Sequence, residues 1–182
     1  MPLHISADRA PGWVCDRLAG LGGTRWVGVD GFGASGKSTL ARAIAERLSG
    51  SVIVSTDDFA RPGIAGWEWE RFARELVGPL LAGQVARYQR WPYDSPRGLD
   101  WVEVPPGVPV IVEGVSSTDL RLRVPWDVTV WVDASPEVRW QRIVNRDPPA
   151  VLEHWRTDWM PSEQAYAAEQ NPMNRADAIV SA

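Results

Sequence analysis

The sequence predicts an α/β fold of three layers, with a parallel sheet covered by helices on both faces. Two observations carry this expectation. Short apolar runs rich in β-branched residues alternate with amphipathic stretches of helical period. A glycine-rich turn, Gly31 to Ser38, joins the first strong run to the first strong helix in the order strand, turn, helix.

Taken in order, Val14, Leu18 and Leu21 recur at helical spacing, which predicts a helix within 6–21, although Pro11 and Gly12 interrupt its start. Thr24 to Asp30 (TRWVGVD) reads as a buried strand. Ser38 to Leu48 places Leu40, Ile44 and Leu48 on one face of a helix, and Gly50 stops it. Ser51 to Ser55 (SVIVS) is a second strand. Trp69, Phe72, Leu76 and Leu80 predict a helix over Trp67 to Leu81, and Val85 to Trp91 a further strand. Residues 92–107, rich in Pro, Gly and Asp, read as an excursion. Val108 to Val112 and Val128 to Val132 are two more buried strands. Ser135 caps a helix running to Arg146, with Pro136 in its first turn. Val151 to Gln170 is largely helical, and Pro161 should bend or split it. Ala178 to Val180 is a last short strand.

The 182 residues read as one domain, 1–182, long enough to bury a continuous core. Hydrophobic residues at 45% and charged residues at 23% are ordinary for a globular chain. A net charge of −4 and a pI near 5.2 argue against a nucleic-acid partner. No apolar stretch approaches the roughly 20 residues of a membrane span, and Met1 to Arg9 lacks the apolar run of a signal peptide. Cys15 is the single cysteine, so no intrachain disulfide forms, and a reducing, cytoplasmic compartment is expected. His4, His154 and Cys15 stand apart, which predicts no structural metal site. Oligomeric state leaves no mark in the sequence.

Gly31-Phe32-Gly33-Ala34-Ser35-Gly36-Lys37-Ser38 fits the pattern G-x-x-x-x-G-K-[ST]. Glycines let the backbone curl so that successive N–H groups face phosphate oxygens, and the following helix adds its unsatisfied N–H groups. In such a loop Lys37 reaches the β- and γ-phosphates and the Ser38 hydroxyl ligates Mg²⁺. Gly31, Gly33, Ala34, Ser35, Gly36, Lys37, Ser38 and Thr39 are therefore the predicted nucleotide-binding residues. Lys37 is the only lysine among 19 basic residues, at the one place where a compact ammonium is required. Gly31, Gly33 and Gly36 also fit the weaker dinucleotide pattern G-x-G-x-x-G, but Lys-Ser directly after the third glycine favours a triphosphate.

Ligands of open α/β sheets bind beyond the carboxyl ends of the strands. Asp57-Asp58 follow the second buried strand and Glu113-Gly114 the third, so parallel neighbouring strands would bring both to Lys37. Asp57 is the candidate base for an acceptor hydroxyl, and Glu113, with Asp57 and Ser38, the candidate metal shell. Asp58 reads equally as a turn cap. Arg139, Arg142 and Arg146 share one helix face ahead of Asp147-Pro148-Pro149. A basic segment over about 139–150 could close as a lid and supply charge to a transition state, with Arg142 and Arg146 as catalytic candidates; an ordinary solvated face is the alternative.

GFGASGKST, STDDF, VIVEG and VDASPEVRWQRIVNRD together resemble the uridine kinase-like P-loop kinases, a group that includes phosphoribulokinase and pantothenate kinase, over Thr24 to Asp147. The resemblance implies a P-loop NTPase-type fold with a five-stranded parallel sheet and the phosphate-loop strand at its centre. It implies ATP or GTP as donor, Mg²⁺, and a small-molecule alcohol as acceptor, nucleosides first. It implies that Asp57 acts on the acceptor hydroxyl, that Glu113 supports the metal, and that Arg142 and Arg146 belong to the lid. Ala60 stands where nucleoside-specific members carry a tyrosine, and YQRWPYDSPRGLDW replaces their base-recognising segment. Asp58, Tyr88, Arg90, Tyr93 and Asp94 are the acceptor-contact candidates, although a packed hairpin uses such residues too. The rival functions are an NTPase that uses water as acceptor and a nucleotide-sensing module.

Overall fold

The computed structural model describes residues 1–61, 64, 66–91 and 97–181. The chain begins with β1 (Leu3–Ser6), α1 (Ala10–Leu18), β2 (Arg25–Asp30), α2 (Lys37–Arg47) and β3 (Val52–Ser55), followed by a 3-10 turn (Thr56–Phe59). α3 (Trp69–Phe72) continues through a π turn (Ala73–Val77) into α4 (Gly78–Leu81), and β4 (Ala86–Gln89) and β5 (Trp101–Val104) come next. β6 (Pro109–Glu113), β7 (Val128–Asp133) and α5 (Pro136–Arg146) follow. α6 (Pro149–His154) continues through a second π turn (Trp155–Trp159) into α7 (Met160–Gln170), and α8 (Pro172–Arg175) and β8 (Ala178–Ser181) end the fold.

The main sheet is parallel and ordered β1-β8-β7-β2-β6-β3, which puts the phosphate-loop strand β2 between β7 and β6 near its centre. It has six strands, not five. The additional one is β1, an edge strand of four mostly exposed residues paired with β8. Its Leu-His-Ile-Ser has no buried run to announce it. β5 lies inside the stretch read as an irregular excursion and pairs antiparallel with β4. α1 starts at Ala10, so Pro11 sits in its first turn, where a missing N–H costs nothing.

The central strands are buried on both faces, which is why they are mainly apolar. Val27 and Val29 face α1 and α2, packing with Val14, Leu18, Leu40, Ile44, Ile111 and Val130. Trp26, Val110 and Val112 face the other layer, with Val54, Phe59, Phe72, Leu76, Leu80 and Tyr88. Farther along, Trp131 and Ile179 pack with Tyr166 of α7. Each fully buried Val, Leu or Ile contributes roughly 1.5–3 kcal/mol.

Pro161 neither ends nor splits its helix. The π turn Trp155–Trp159 immediately precedes it, as Ala73–Val77 precedes Pro79. A proline ring collides with the carbonyl of the residue four before it, and a locally widened turn relieves that collision while the helix continues.

The ends of β3 and β6 meet at Gly114, whose φ is +144°. A Cβ there would overlap the hydroxyl of Thr56, which is itself buried. Gly114→Ala is expected to cost roughly 3 kcal/mol from backbone strain and overpacking. Urea unfolding would show it as a lower midpoint at unchanged slope.

Candidate active site

The phosphate loop joins β2 to α2. Gly31 and Gly36 adopt φ of +148° and +113°, and Ala34 sits at +59°, so the chain curls as an anion cradle does. Among the described residues no side chain caps the first N–H groups of α2, which leaves them for a ligand. Gly33, Ala34, Gly36, Lys37, Ser38 and Thr39 line a cleft of about 1590 Å³, whereas Gly31 and Ser35 lie buried beneath it. Lys37 is buried, and its ammonium donates to the carbonyl of Phe32 at 2.8 Å. Burial lowers its pKa, against the opposing pull of Asp30, Glu113, Glu163 and Asp57.

Glu113 ends β6 beside this loop, and its Oε2 accepts from the Ser38 hydroxyl at 3.0 Å. Asp57, in the 3-10 turn after β3, is exposed to the same cleft. The parallel pairing of β2, β6 and β3 thus brings Lys37, Ser38, Glu113 and Asp57 together as the sequence predicts. Among the described residues no three His, Cys, Asp or Glu side chains converge as a metal cage. Ser38 and Glu113 fit instead the way Mg²⁺ is held beside nucleotides, by one or two protein oxygens with phosphate and water oxygens completing the shell.

Arg142 of α5 lines the cleft and donates to the carbonyls of Ala34 and Ser35 at 3.1 and 2.9 Å. Arg146 also lines it, bonded to Asp147 at 2.7 and 2.9 Å. Arg142→Ala is expected to leave the fold intact and lower kcat/KM for ATP by roughly tenfold to a hundredfold, read from steady-state kinetics. Arg146→Ala should have the smaller effect, since its guanidinium is already spent on a neighbouring carboxylate.

The acceptor candidates fare differently. Tyr88 is buried, and its hydroxyl donates to Asp58 at 3.3 Å. Asp58 also accepts, through its backbone carbonyl, from Arg71 at 2.9 Å and Trp91 at 2.7 Å. Burial pushes both the Asp58 carboxyl and the Tyr88 phenol upward in pKa. Arg90 pairs with Asp100 on the surface. None of these three lines the cleft: Tyr88 is packed inside the β4–β5 ribbon, Arg90 follows β4 at the surface, and Asp58 sits in the 3-10 turn that Tyr88 reaches. Tyr93 and Asp94 lie outside the described residues. The cleft on this side is lined instead by Trp67, Trp69, Ser116, Asp119 and Arg121. The Trp67 indole donates to Ser116 Oγ at 2.9 Å, and the Arg121 guanidinium lies over the Trp69 ring while pairing with Asp119.

Three residues to which the sequence reading gives no site role shape the loop. Asp30 is buried and accepts from Gly31 N–H at 2.7 Å, Thr118 N–H and hydroxyl at 3.1 and 2.6 Å, and the Tyr166 hydroxyl at 2.7 Å. Glu163 of α7 accepts from Gly33 N–H at 3.0 Å and from Arg139 at 3.4 Å. Burial raises the Glu163 pKa, while the Gly33 N–H, Lys37 and Arg139 lower it. Trp155 covers Gly33 and donates its indole N–H to Asp147 at 2.7 Å.

A family model described as an AAA domain matches residues 27–158. A uridine kinase of Geobacillus kaustophilus (strain HTA426) is 31% identical over 166 residues, covering 81% of this chain and 77% of the relative. Among solved structures, a Bacillus stearothermophilus protein described as a possible uridine kinase superposes with a TM-score of 0.64 at 19% identity, covering 95% of this chain and 97% of its own. A Silicibacter sp. TM1040 protein described as a candidate fructose transport system kinase gives 0.63 at 21% identity, covering 97% and 98%. Among the described residues no helix is long and apolar enough to cross a membrane.

Proposed function

The chain belongs to the uridine kinase-like family of P-loop kinases, and from that premise we propose that it transfers the γ-phosphoryl group of ATP to a hydroxyl of a small molecule, a nucleoside first among the candidates. The observation that carries the reading is the convergence of Asp57 and Glu113 on Lys37 and Ser38 in one cleft. That cleft, at about 1590 Å³, exceeds the roughly 300–1,000 Å³ of an ordinary single-ligand pocket, so it has room for donor and acceptor together.

The loop amides and the start of α2 bind the phosphates, and Lys37 leaves the Phe32 carbonyl to meet the β- and γ-oxygens. Mg²⁺, when bound, neutralises charge on those oxygens. Ser38 and Glu113 are the residues that would hold it. Asp57, exposed to the cleft, orients the acceptor hydroxyl and takes its proton as the new oxygen–phosphorus bond forms and the bond from the γ-phosphorus to the bridging oxygen breaks, ADP leaving. Arg142 holds the loop carbonyls still and adds positive charge beside the transferred group. On the acceptor side the cleft lining of Trp67, Trp69, Ser116, Asp119 and Arg121 combines aromatic and polar groups, as a planar base requires.

The test is ATP consumption against a panel of nucleosides, sugars and vitamin alcohols, with Mg²⁺ present. A nucleoside that raises turnover far above the acceptor-free rate supports the reading. The best response from a sugar would keep the kinase and replace the acceptor class. Equal turnover with and without any acceptor would favour an NTPase, and ATP binding without turnover a sensing module.

A further inference from the structure

The Phe32–Gly33 peptide is held at both ends. Its carbonyl accepts from the Lys37 ammonium at 2.8 Å and the Ser35 N–H at 3.2 Å, and its N–H donates to Glu163 Oε1 at 3.0 Å, across 130 positions of sequence. Glu163 is only 4% exposed, and a carboxylate is costly to bury unless its oxygens are satisfied. Its second oxygen is met by Arg139, also 4% exposed, whose guanidinium lies 4.6 Å from the Phe32 ring centroid. Gly33 itself has no slack. A Cβ there would stand 2.7 Å from Glu163 Oε1 and 2.5 Å from the Trp155 ring.

We propose that Glu163 is a positioning residue for the phosphate loop, fixing the orientation of the Phe32–Gly33 peptide through its amide. Flipping that peptide would turn its carbonyl oxygen toward the Glu163 carboxylate and its N–H toward the Lys37 ammonium, both repulsive. The lock matters most when a nucleotide draws Lys37 away from the Phe32 carbonyl. Glu163 then holds the N–H side of the peptide while the Ser35 N–H keeps its carbonyl, and the loop keeps one shape between empty and loaded states. A pre-shaped loop loses less conformational freedom on binding, so the lock is worth affinity for phosphate. The consequence for nucleotide binding rests on the kinase reading above; the lock itself rests on the geometry alone.

Two conservative variants separate reach from charge. Glu163→Asp keeps the charge opposite Arg139 but is one methylene too short to reach Gly33. Glu163→Gln keeps the reach and an acceptor oxygen but loses the charge. The measurements on the full-length chain are ATP affinity by calorimetry, exchange of the Gly33 amide by NMR, and thermal unfolding. Glu163→Asp is expected to bind ATP about tenfold more weakly and to exchange the Gly33 amide faster, with its unfolding midpoint little changed, as for loss of one charge-assisted hydrogen bond. Glu163→Gln is expected to stay within about threefold of wild type, with the amide still protected. The reverse order would overturn the proposal and leave Glu163 as a countercharge for Arg139. Tighter ATP binding in either variant would also overturn it, marking the carboxylate as a plug. Should Glu163→Asp not fold, fast Gly33 exchange in Glu163→Gln would overturn it alone. Should the wild type bind no nucleotide, the kinase reading fails, and the amide exchange still decides the lock.

Discussion

Lys37→Ala is expected to abolish phosphoryl transfer, the largest single effect in this protein. Lys37 is buried, its ammonium donating among the described residues to the Phe32 carbonyl alone, with the carboxylates of Asp30, Glu113, Glu163 and Asp57 around it. In the proposed transfer its flexible stem lets the ammonium move from the carbonyl to the β- and γ-phosphate oxygens, and the sequence holds no other lysine to replace it. Loss of the charge leaves these carboxylates facing an incoming polyphosphate without the cation that offsets them. ATP affinity should fall together with turnover. Lys37→Arg keeps the charge but places a broad planar guanidinium where a point charge threads a closed loop, and it should also be nearly inactive. Coupled-assay turnover and calorimetric ATP binding check both variants. Near-normal activity of Lys37→Arg would mean that the loop is wider in use than its geometry here.

What the sequence discloses about this site follows from how local each constraint is. The phosphate loop is legible because its requirements are written within eight consecutive residues, Gly31 to Ser38, between a buried strand and a helix. Asp57 and Glu113 are legible because a parallel sheet gathers the carboxyl ends of its strands, wherever they lie in the chain. Glu163 is different. It sits in Met-Pro-Ser-Glu-Gln, a polar stretch that reads as a solvated helix face, and its role comes from a contact 130 positions away. Asp30 ends β2 as any strand-end aspartate might, and its burial comes from Thr118 and Tyr166, 88 and 136 positions on. Tyr88 could have been placed correctly. In β4 the inward positions are Ala86 and Tyr88 and the outward one Arg87, so period-two alternation puts the tyrosine in the core rather than at an acceptor. The fold shows the same rule: strands buried on both faces are evident, and the exposed edge strand β1 is not.

Asp57→Asn is the variant that separates transfer from binding. The substitution keeps the shape of an exposed side chain in a 3-10 turn and removes its negative charge. The turn itself should persist, because it is held by the Asp57 backbone N–H on Ser55 Oγ at 3.3 Å and not by the carboxylate. ATP binding should survive, since the loop amides, the open N-terminus of α2 and Lys37 supply the main phosphate contacts. Transfer to the best acceptor should fall by roughly 100-fold or more, the scale of a lost general base. Glu113→Gln makes the contrast. Its side chain still reaches the Ser38 hydroxyl, so the loop is retained, but a neutral amide holds a metal shell less well, and raised Mg²⁺ should restore part of the activity. Titrating Mg²⁺ against turnover in both variants distinguishes them: Asp57→Asn should stay low at every concentration. Unchanged turnover in Asp57→Asn would remove its catalytic role and favour the nucleotide-sensing reading. Loss of ATP binding in the same variant, reversed by Mg²⁺, would move Asp57 into the metal shell beside Glu113 and leave another group to accept the hydroxyl proton.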